Sequence, residues 1–158
     1  MNPIELHPIG TIEPDGKGAK IVLAPAFAEG LEGLRGYGHV QVLWWMDRCD
    51  DPATRSVLVE RKPYVRGPEE LGVFALRSPE RPNPVALSTA EIVSVDEEAG
   101  TVSLAWLDAF PGSAVLDLKP YTPSLDRVER PVVPDWCRHW PRSCEASGAF
   151  DWAREFAF

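Results

Sequence analysis

Hydrophobic positions along the chain are grouped in short runs whose spacing favours β-strands over helices. Residues 40–46 and 71–76 are apolar on both faces, which predicts buried, central strands. Residues 86–95 and 101–107 flank a polar turn that ends in Gly100, a pattern typical of a β-hairpin. A further strand is predicted at residues 115–119, and weaker strand patterns occur at 4–12 and 20–24.

Sixteen prolines separate these runs, and proline can neither donate to a strand ladder nor sit inside a helix. Many short strands with frequent breakers predict a mainly β protein, a small β-barrel or sandwich with a few short helices. One helix is expected at residues 29–34. Another is expected in the C-terminal tail at 149–156, where Phe150, Ala153 and Phe156 form an apolar stripe. Residues 127–141 are predicted to be an irregular connector.

Composition narrows the class of protein. The 158 residues fit one domain, and no apolar run approaches the roughly 18–20 residues of a membrane span. The three cysteines are too few for a disulfide framework and the first residues lack a secretory signal, so we expect a cytoplasmic protein. The formal net charge of −8 argues against a general polyanion-binding surface. Residues 48–81 alone carry a surplus of Lys and Arg.

The stretch at residues 72–84 is the strongest candidate for chemistry. A predicted strand ends at Arg77, and three prolines then stiffen a polar loop. A stiff loop loses little further entropy on closing over a ligand, so it can hold Arg77, Ser78, Arg81 and Asn83 ready for binding. The alternative is a surface loop whose prolines only end one strand before the next.

Four stretches together resemble the TrmO/TsaA-like family. Residues 72–84 are similar to its signature GVFATRSPxRPNPIGLS, and residues 8–12 resemble its first strand. Residues 31–44 are similar to its Gly-Leu and His-containing block, and residues 107–121 to its GTPVLDIKPY block. The resemblance covers about residues 4–126, and the combination of motifs is specific.

The resemblance implies a small β-barrel methyltransferase that binds S-adenosylmethionine, forms a homodimer and methylates N6 of threonylcarbamoyladenosine in the tRNA anticodon loop. It also implies a cofactor-binding barrel at residues 1–126. Trp136, Trp140 and Trp152 predict that the extension at 127–158 packs on the barrel or on a partner subunit. Six tryptophans, more than such a barrel needs, favour an interface as well. By motif position the cofactor contacts are Asp47, Arg48, Arg77, Leu87, Gly112, Ser113, Ala114 and Val115.

Further residues of these blocks are candidates for catalysis and for substrate binding. The candidate catalytic residues are Asp117, Tyr121 and His39, and the candidate substrate contacts are Ser78, Arg81, Asn83 and Lys119. His39 has a structural alternative, because it opens a buried strand. Asp117 lies between leucines and has another, pairing with Lys or Arg, since a buried carboxylate is costly unless paired. For Lys119 the alternative is solvated surface.

Departures from the family pattern leave the acceptor open. The segment at residues 13–18 is short, Asp47 stands where many members have His, and the larger C-terminal domain of the longer members is missing. The alternatives are the same donor with a small-molecule or other nucleoside acceptor, or a non-catalytic S-adenosylmethionine-binding protein. If tRNA is the acceptor, residues 48–81 supply a local contact through Arg61, Lys62 and Arg66.

We expect no metal site. Cys137, His139 and Cys144 supply at most three ligands, at spacings unlike those of common zinc motifs.

Overall fold

The protein forms a closed six-stranded antiparallel barrel in a computed structural model that describes residues 2–16 and 18–158. The strand order around the barrel is β1-β2-β7-β6-β3-β8. These strands are β1 (Gly10–Asp15), β2 (Gly18–Leu23), β3 (His39–Trp45), β6 (Val85–Asp96), β7 (Thr101–Leu104) and β8 (Ala114–Pro120). Two short strands, β4 (Val59–Arg61) and β5 (Glu70–Gly72), pair outside the barrel. The predicted mainly β barrel is therefore confirmed.

Helical segments are short. The α-helices are α1 (Pro52–Arg55), α2 (Pro123–Asp126) and α3 (Cys144–Ser147). The 3-10 turns are Pro25–Leu31, Leu34–Gly36, Asp47–Cys49, Val73–Ala75, Asp135–Cys137 and Trp152–Arg154. Over residues 2–16 and 18–158, no helix has the length and apolar character needed to cross a membrane.

Alternate side chains of the strands fill the interior of the barrel. In β2 and β3 every second residue points inward, and Ile21, Val40 and Val42 are completely buried. The barrel closes where β1 pairs with β8, and Gly10 faces Val115 at that seam. A Cβ atom on Gly10 would collide with the carbonyl oxygen of Val22 on the neighbouring strand, so only glycine fits there.

Several sequence predictions agree with the strands and others need correction. The β6–β7 hairpin and the strands near residues 20–24 and 115–119 are confirmed, although β7 ends at Leu104 rather than at residue 107. The segment at 40–46 is a strand, yet only one of its faces is fully buried, because a barrel encloses one face of each strand. The predicted first strand at 4–12 begins only at Gly10.

Two segments differ more strongly. Residues 71–76 do not form a central strand, because β5 ends at Gly72, pairs only with β4 and continues as the Val73–Ala75 turn. Residues 29–34 fall across two 3-10 turns, with Gly33 between them at a φ of 81°.

The predicted terminal helix at 149–156 is wrong. The tail contains α3 and the short Trp152–Arg154 turn instead. Its backbone pairs with an earlier segment: the Val65 amide donates to Glu155 over 2.8 Å, and the Ala157 amide donates to Pro63 over 3.2 Å. These bonds satisfy backbone groups that a helix would have paired internally. The Tyr64 ring stacks on the Phe156 ring beside them.

Candidate functional site

A cavity of about 730 Å³ opens at the end of β3 that carries Trp45. Its walls come from the turn after β3, the proline-stiffened loop, the first residues of β6 and the β7–β8 loop. Its lining residues are Trp44, Met46, Asp47, Arg48, Cys49, Leu76, Arg77, Pro79, Arg81, Val85, Ala86, Leu87, Ser88, Asp108, Ala109 and Phe110. Segments far apart in sequence thus meet at one opening.

The inner wall of the cavity is apolar and closed. Trp44 and Leu76 are each only 7% exposed. The Trp44 indole donates from Nε1 to the Ser88 hydroxyl over 3.1 Å, which fixes the ring and satisfies its one polar atom. This wall offers the kind of surface that a flat heterocycle buries.

Charged side chains surround the rest of the opening. Arg48, Arg77 and Arg81 line it together with two carboxylates, Asp47 and Asp108. The Arg77 guanidinium donates from Nη1 to the Leu87 carbonyl over 3.1 Å, which ties the proline-stiffened loop to β6. Cations beside carboxylates suit a ligand that carries charges of both signs.

Arg81 has a structural role in this loop. Its guanidinium donates to the carbonyl oxygens of Ser78 (2.6 Å), Leu76 (2.7 Å) and Val73 (3.2 Å). Three donors of the fork are therefore directed at the backbone of the loop, which they hold around Arg77. For Arg81 the structure favours positioning of the loop over the substrate contact expected from the sequence.

Arg55 of α1 is a loop-supporting residue that sequence reasoning missed. It donates from Nε to the Pro82 carbonyl over 2.9 Å and from Nη1 to Asp50 over 3.0 Å. Asn83 lies within 3.5 Å of the same guanidinium. Neither Asn83 nor Ser78 lines the cavity, and the Ser78 hydroxyl accepts from the Glu80 amide within the loop.

The glycine-containing segment before β8 lies behind the cavity wall. Gly112 has a φ of 89°, which favours glycine, and its amide donates to the Ile12 carbonyl over 2.7 Å. Ser113 is buried, Ala114 pairs with Thr11, and Val115 lies in the barrel core. None of these four expected cofactor contacts lines the cavity, whereas Asp47, Arg48, Arg77 and Leu87 all do.

Two of the three candidate catalytic residues, His39 and Tyr121, lie at the other end of β3, whereas Asp117 on β8 pairs with Leu43. The Tyr121 amide donates to the His39 carbonyl over 3.0 Å, and their rings meet edge to face. His39 opens β3, a strand about 20 Å long, and Asp47 lies beyond its last residue. Asp117 borders a separate groove of about 500 Å³. Within one chain, His39, Tyr121 and Asp117 therefore do not meet the cavity.

Asp117 has the cationic partner that the sequence suggested. Its carboxylate pairs with Lys119 Nζ over 2.6 Å, and both side chains are about half exposed. The pair is an exposed ion pair on the outer face of β8.

The predicted basic patch is neutralised by its neighbours. Arg61 of β4 lies 3.5 Å from the Glu70 carboxylate on β5, and Lys62 Nζ lies 3.0 Å from Glu69. Because β4 and β5 pair across the sheet, each cation meets a carboxylate that the linear sequence places some eight residues away. Arg61 and Lys62 thus each have a carboxylate beside them, and the local RNA contact expected from Arg61, Lys62 and Arg66 stays a prediction.

Cys49 lines the cavity and was not singled out from the sequence. Burial raises the pKa of its thiol, and the carboxylates of Glu80, Asp51 and Asp47 act in the same direction. The thiol is therefore protonated at neutral pH and is a poor nucleophile.

The tail residues considered as metal ligands have other roles. Cys137 is buried, Cys144 is exposed, and His139 Nε2 lies 2.8 Å from the Glu155 carboxylate. Across the described part of the chain, no three His, Cys, Asp or Glu side chains are grouped in a way that could hold a metal ion. An aromatic cluster made of Tyr64, Trp136, Trp140, Trp152 and Phe156 joins the tail to the segment after β4.

Other proteins resemble this chain in sequence and in fold. One relative, an S-adenosyl-L-methionine-binding protein of Archaeoglobus fulgidus, is 38% identical over 112 residues, which are 71% of this chain and 75% of the relative. The crystal structure of TrmO from Pseudomonas aeruginosa superposes with a TM-score of 0.63 at 27% identity, covering 83% of this chain and 62% of the other. A second TrmO crystal structure gives a TM-score of 0.64 at 28% identity, covering 84% and 64%.

The chain thus spans less than two thirds of the solved TrmO chains. The shared part is the barrel, because residues 6–127 match the family described as the tRNA-methyltransferase O N-terminal domain. This match includes β1 to β8 and every residue that lines the cavity. The chain belongs to the tRNA-methyltransferase O N-terminal domain family.

Proposed function

We propose that the chain binds S-adenosylmethionine in the cavity beside Trp44 and transfers its methyl group to N6 of threonylcarbamoyladenosine in the tRNA anticodon loop. One observation carries the proposal: Asp47, Arg48, Arg77 and Leu87, which match the family's cofactor-contact positions, converge on one cavity. The name of one relative, an S-adenosyl-L-methionine-binding protein, supports the donor, and the family description, tRNA-methyltransferase O, supports a tRNA acceptor.

The cavity fits the donor in size and in chemistry. Its volume of about 730 Å³ lies within the range of roughly 300–1,000 Å³ that is typical of small-molecule sites. The closed apolar wall of Trp44 and Leu76 provides a face for the adenine. Arg77 provides a partner for the methionine carboxylate, and Asp47 and Asp108 provide negative charge for the sulfonium.

When bound, the donor would supply a methyl group on a positively charged sulfur, and the residues of the chain would bind the donor and orient the acceptor. Arg77 holds the carboxylate end because its own guanidinium is fixed to the Leu87 carbonyl. Arg81 and Arg55 keep the surrounding loop in place. The N6–methyl bond would form as the S–methyl bond breaks, S-adenosylhomocysteine would leave, and N6 would release its proton to water. The residues of the chain would contribute by positioning the acceptor nitrogen near the methyl carbon.

Two other hypotheses remain: a different acceptor for the same donor, and a donor-binding protein without catalysis. The net charge of −8 and the paired Arg61 and Lys62 favour a small-molecule or free-nucleoside acceptor for the same donor. The half-exposed pair of Asp117 and Lys119, which does not line the cavity, favours a binding protein that lacks catalysis. The first alternative predicts a different methylated product, and the second predicts none.

One incubation distinguishes the three. The protein and S-adenosylmethionine with a deuterated methyl group are combined with unmethylated tRNA, free nucleosides and a small-molecule extract, and the products are analysed by mass spectrometry. A labelled N6-methylated threonylcarbamoyladenosine that Arg77→Ala fails to produce supports the proposal. Label only in free nucleoside or small molecules supports the second hypothesis. Donor binding with no labelled product in any pool supports the third.

We propose in addition that the chain works as a homodimer. The tryptophans of the tail pack within one chain, so they no longer argue for an interface. The support lies instead in α2 and the segment after it, where Leu125, Val128 and Val132 are exposed. Light scattering at micromolar concentration should give twice the 17.5 kDa mass of one chain. A mass of one chain contradicts the dimer.

A further inference from the structure

Phe110 is an aromatic residue left half open at the cavity. It lines the cavity, yet it is 51% exposed, whereas Trp44 and Leu76 on the inner wall are nearly buried. Leu87 is exposed to a similar degree as Phe110. The cavity therefore has a closed inner part and an outer part that solvent reaches.

Arg48 and the backbone hold the Phe110 ring in place. The Arg48 guanidinium carbon lies 3.5 Å from the ring centroid, which is the distance of close cation–π contact. The Phe110 carbonyl accepts from the Ser113 amide over 3.1 Å, and the neighbouring Gly112 amide is bonded to β1. A ring fixed in this way loses little further freedom when a ligand stacks on it.

The two substrates of a methyl transfer make different demands on such a cavity. The donor is a small molecule that gains affinity from enclosure, so the buried inner wall suits it. A base that belongs to RNA arrives from solvent, splayed out of its loop, and is bound by stacking on aromatic rings or on guanidinium planes. Phe110 and Arg48 provide both kinds of surface at the open part.

Resting on the proposed function, we infer that the face of the Phe110 ring opposite Arg48 is the platform that receives the acceptor base, while Arg48, one of the proposed donor contacts, covers the other face. Phe110 is then a specificity-determining residue: it selects an acceptor with an aromatic face and leaves donor affinity untouched. An aliphatic acceptor would gain nothing from this surface. The acidic chain can in this way bind one nucleotide through stacking, without a broad cationic surface.

The test measures RNA binding directly. Protein saturated with S-adenosylhomocysteine is titrated into a fluorescent anticodon stem-loop that contains threonylcarbamoyladenosine, and anisotropy gives Kd. A second RNA carries an abasic nucleotide at the target position. The variants are Phe110→Leu, which keeps apolar volume but removes the aromatic face, and Phe110→Trp, which keeps the face. Phe158→Ala is the matched control, because Phe158 is 93% exposed and does not line the cavity.

We expect Phe110→Leu to raise the Kd for the complete RNA about tenfold, as loss of one stacked base does, and Phe110→Trp to stay within about twofold. Phe158→Ala should match the wild type. The abasic RNA should bind the wild type about tenfold more weakly, with no further loss in Phe110→Leu, because the base and the ring act as one contact. Calorimetry should find the donor Kd of every variant within about twofold of the wild type.

Three results overturn the inference. The first is a Phe110→Leu protein that binds the complete RNA like the wild type. The second is a Phe110→Leu protein with lower donor affinity, which would place the ring against the donor. The third is a loss of affinity from the abasic RNA that adds to the loss from Phe110→Leu. A wild type that binds and methylates RNA alongside any of these leaves the proposed function standing. A wild type that binds no RNA overturns the proposed acceptor and this platform together.

Discussion

Ser113 donates a hydrogen bond from its hydroxyl to Oδ1 of Asp47 over 3.2 Å, although 66 residues separate them. Ser113 is 1% exposed, so its side chain is held inside the protein while Asp47 faces the cavity. The bond explains how the segment before β8 serves the cavity without lining it. It fixes the carboxylate that we assign to the sulfonium.

Replacing Ser113 with alanine should therefore weaken donor binding indirectly. We expect Ser113→Ala to lower donor affinity several-fold and the free energy of unfolding by about 1 kcal/mol, the usual net value of a hydrogen bond. Ser103→Ala is the matched control, since it removes a bond from Ser103 to Asp15 away from the cavity. Calorimetry and urea denaturation give the two quantities. Equal donor affinity in both variants would show that Ser113 does not support donor binding.

Cysteine labelling tests the place of the donor without any assay of activity. Cys49 lines the cavity, Cys144 is exposed and Cys137 is buried. Because burial and nearby carboxylates raise the pKa of Cys49, it should react with iodoacetamide more slowly than Cys144 at pH 7.5. Saturating S-adenosylmethionine should slow Cys49 further and leave Cys144 unchanged, as peptide mass spectrometry can follow. Unchanged labelling of Cys49 would place the donor elsewhere.

The tail should make stability depend on acid pH through Glu155. Hydrogen bonds from His139 and Trp140 hold the pKa of this buried carboxyl below its ordinary value of about 4.5. A lowered pKa in the folded state means that the carboxylate stabilises the fold above about pH 4.5 and that this gain is lost as pH falls through the folded-state pKa. Glu155→Gln should therefore lower Tm at pH 7, by less as the pH approaches 3.

The control for this variant is Glu97→Gln, in the exposed turn between β6 and β7. Circular dichroism gives Tm for both at each pH. A Glu155→Gln protein with the Tm of the wild type at pH 7 would show that the Glu155 contacts do not stabilise the tail.

How far the sequence predicts this molecule depends on which interactions decide each segment. The apolar runs predict strands β3 and β6, and in the barrel each has a paired neighbour on both sides. The predicted burial of both faces of β3 is wrong, because a barrel encloses one face of each strand. Residues 149–156 have an apolar stripe with helical spacing, but pairing of Glu155 with Val65 decides their backbone. Such long-range pairing has no signature in a local window.

The candidate site shows the same division. The motif positions Asp47, Arg77 and Leu87 line one cavity, and their contact with the donor stays a prediction. Charge counting did not show that Glu70 and Glu69 lie beside Arg61 and Lys62, because those carboxylates are brought there by the pairing of β4 with β5. Phe110 lay within a quoted motif, but only the structure shows that it is exposed and stacked on Arg48.

Isothermal titration calorimetry of the purified protein measures whether the Arg77 cavity binds S-adenosylmethionine. We predict one donor site per chain. Arg77→Ala should weaken binding by about 1.5–3 kcal/mol, the range for a hydrogen bond to a charged group. Arg61→Ala, which removes an exposed arginine paired with Glu70, should bind like the wild type. Absence of heat on titration of the wild type, or equal affinity in Arg77→Ala and Arg61→Ala, would contradict the account.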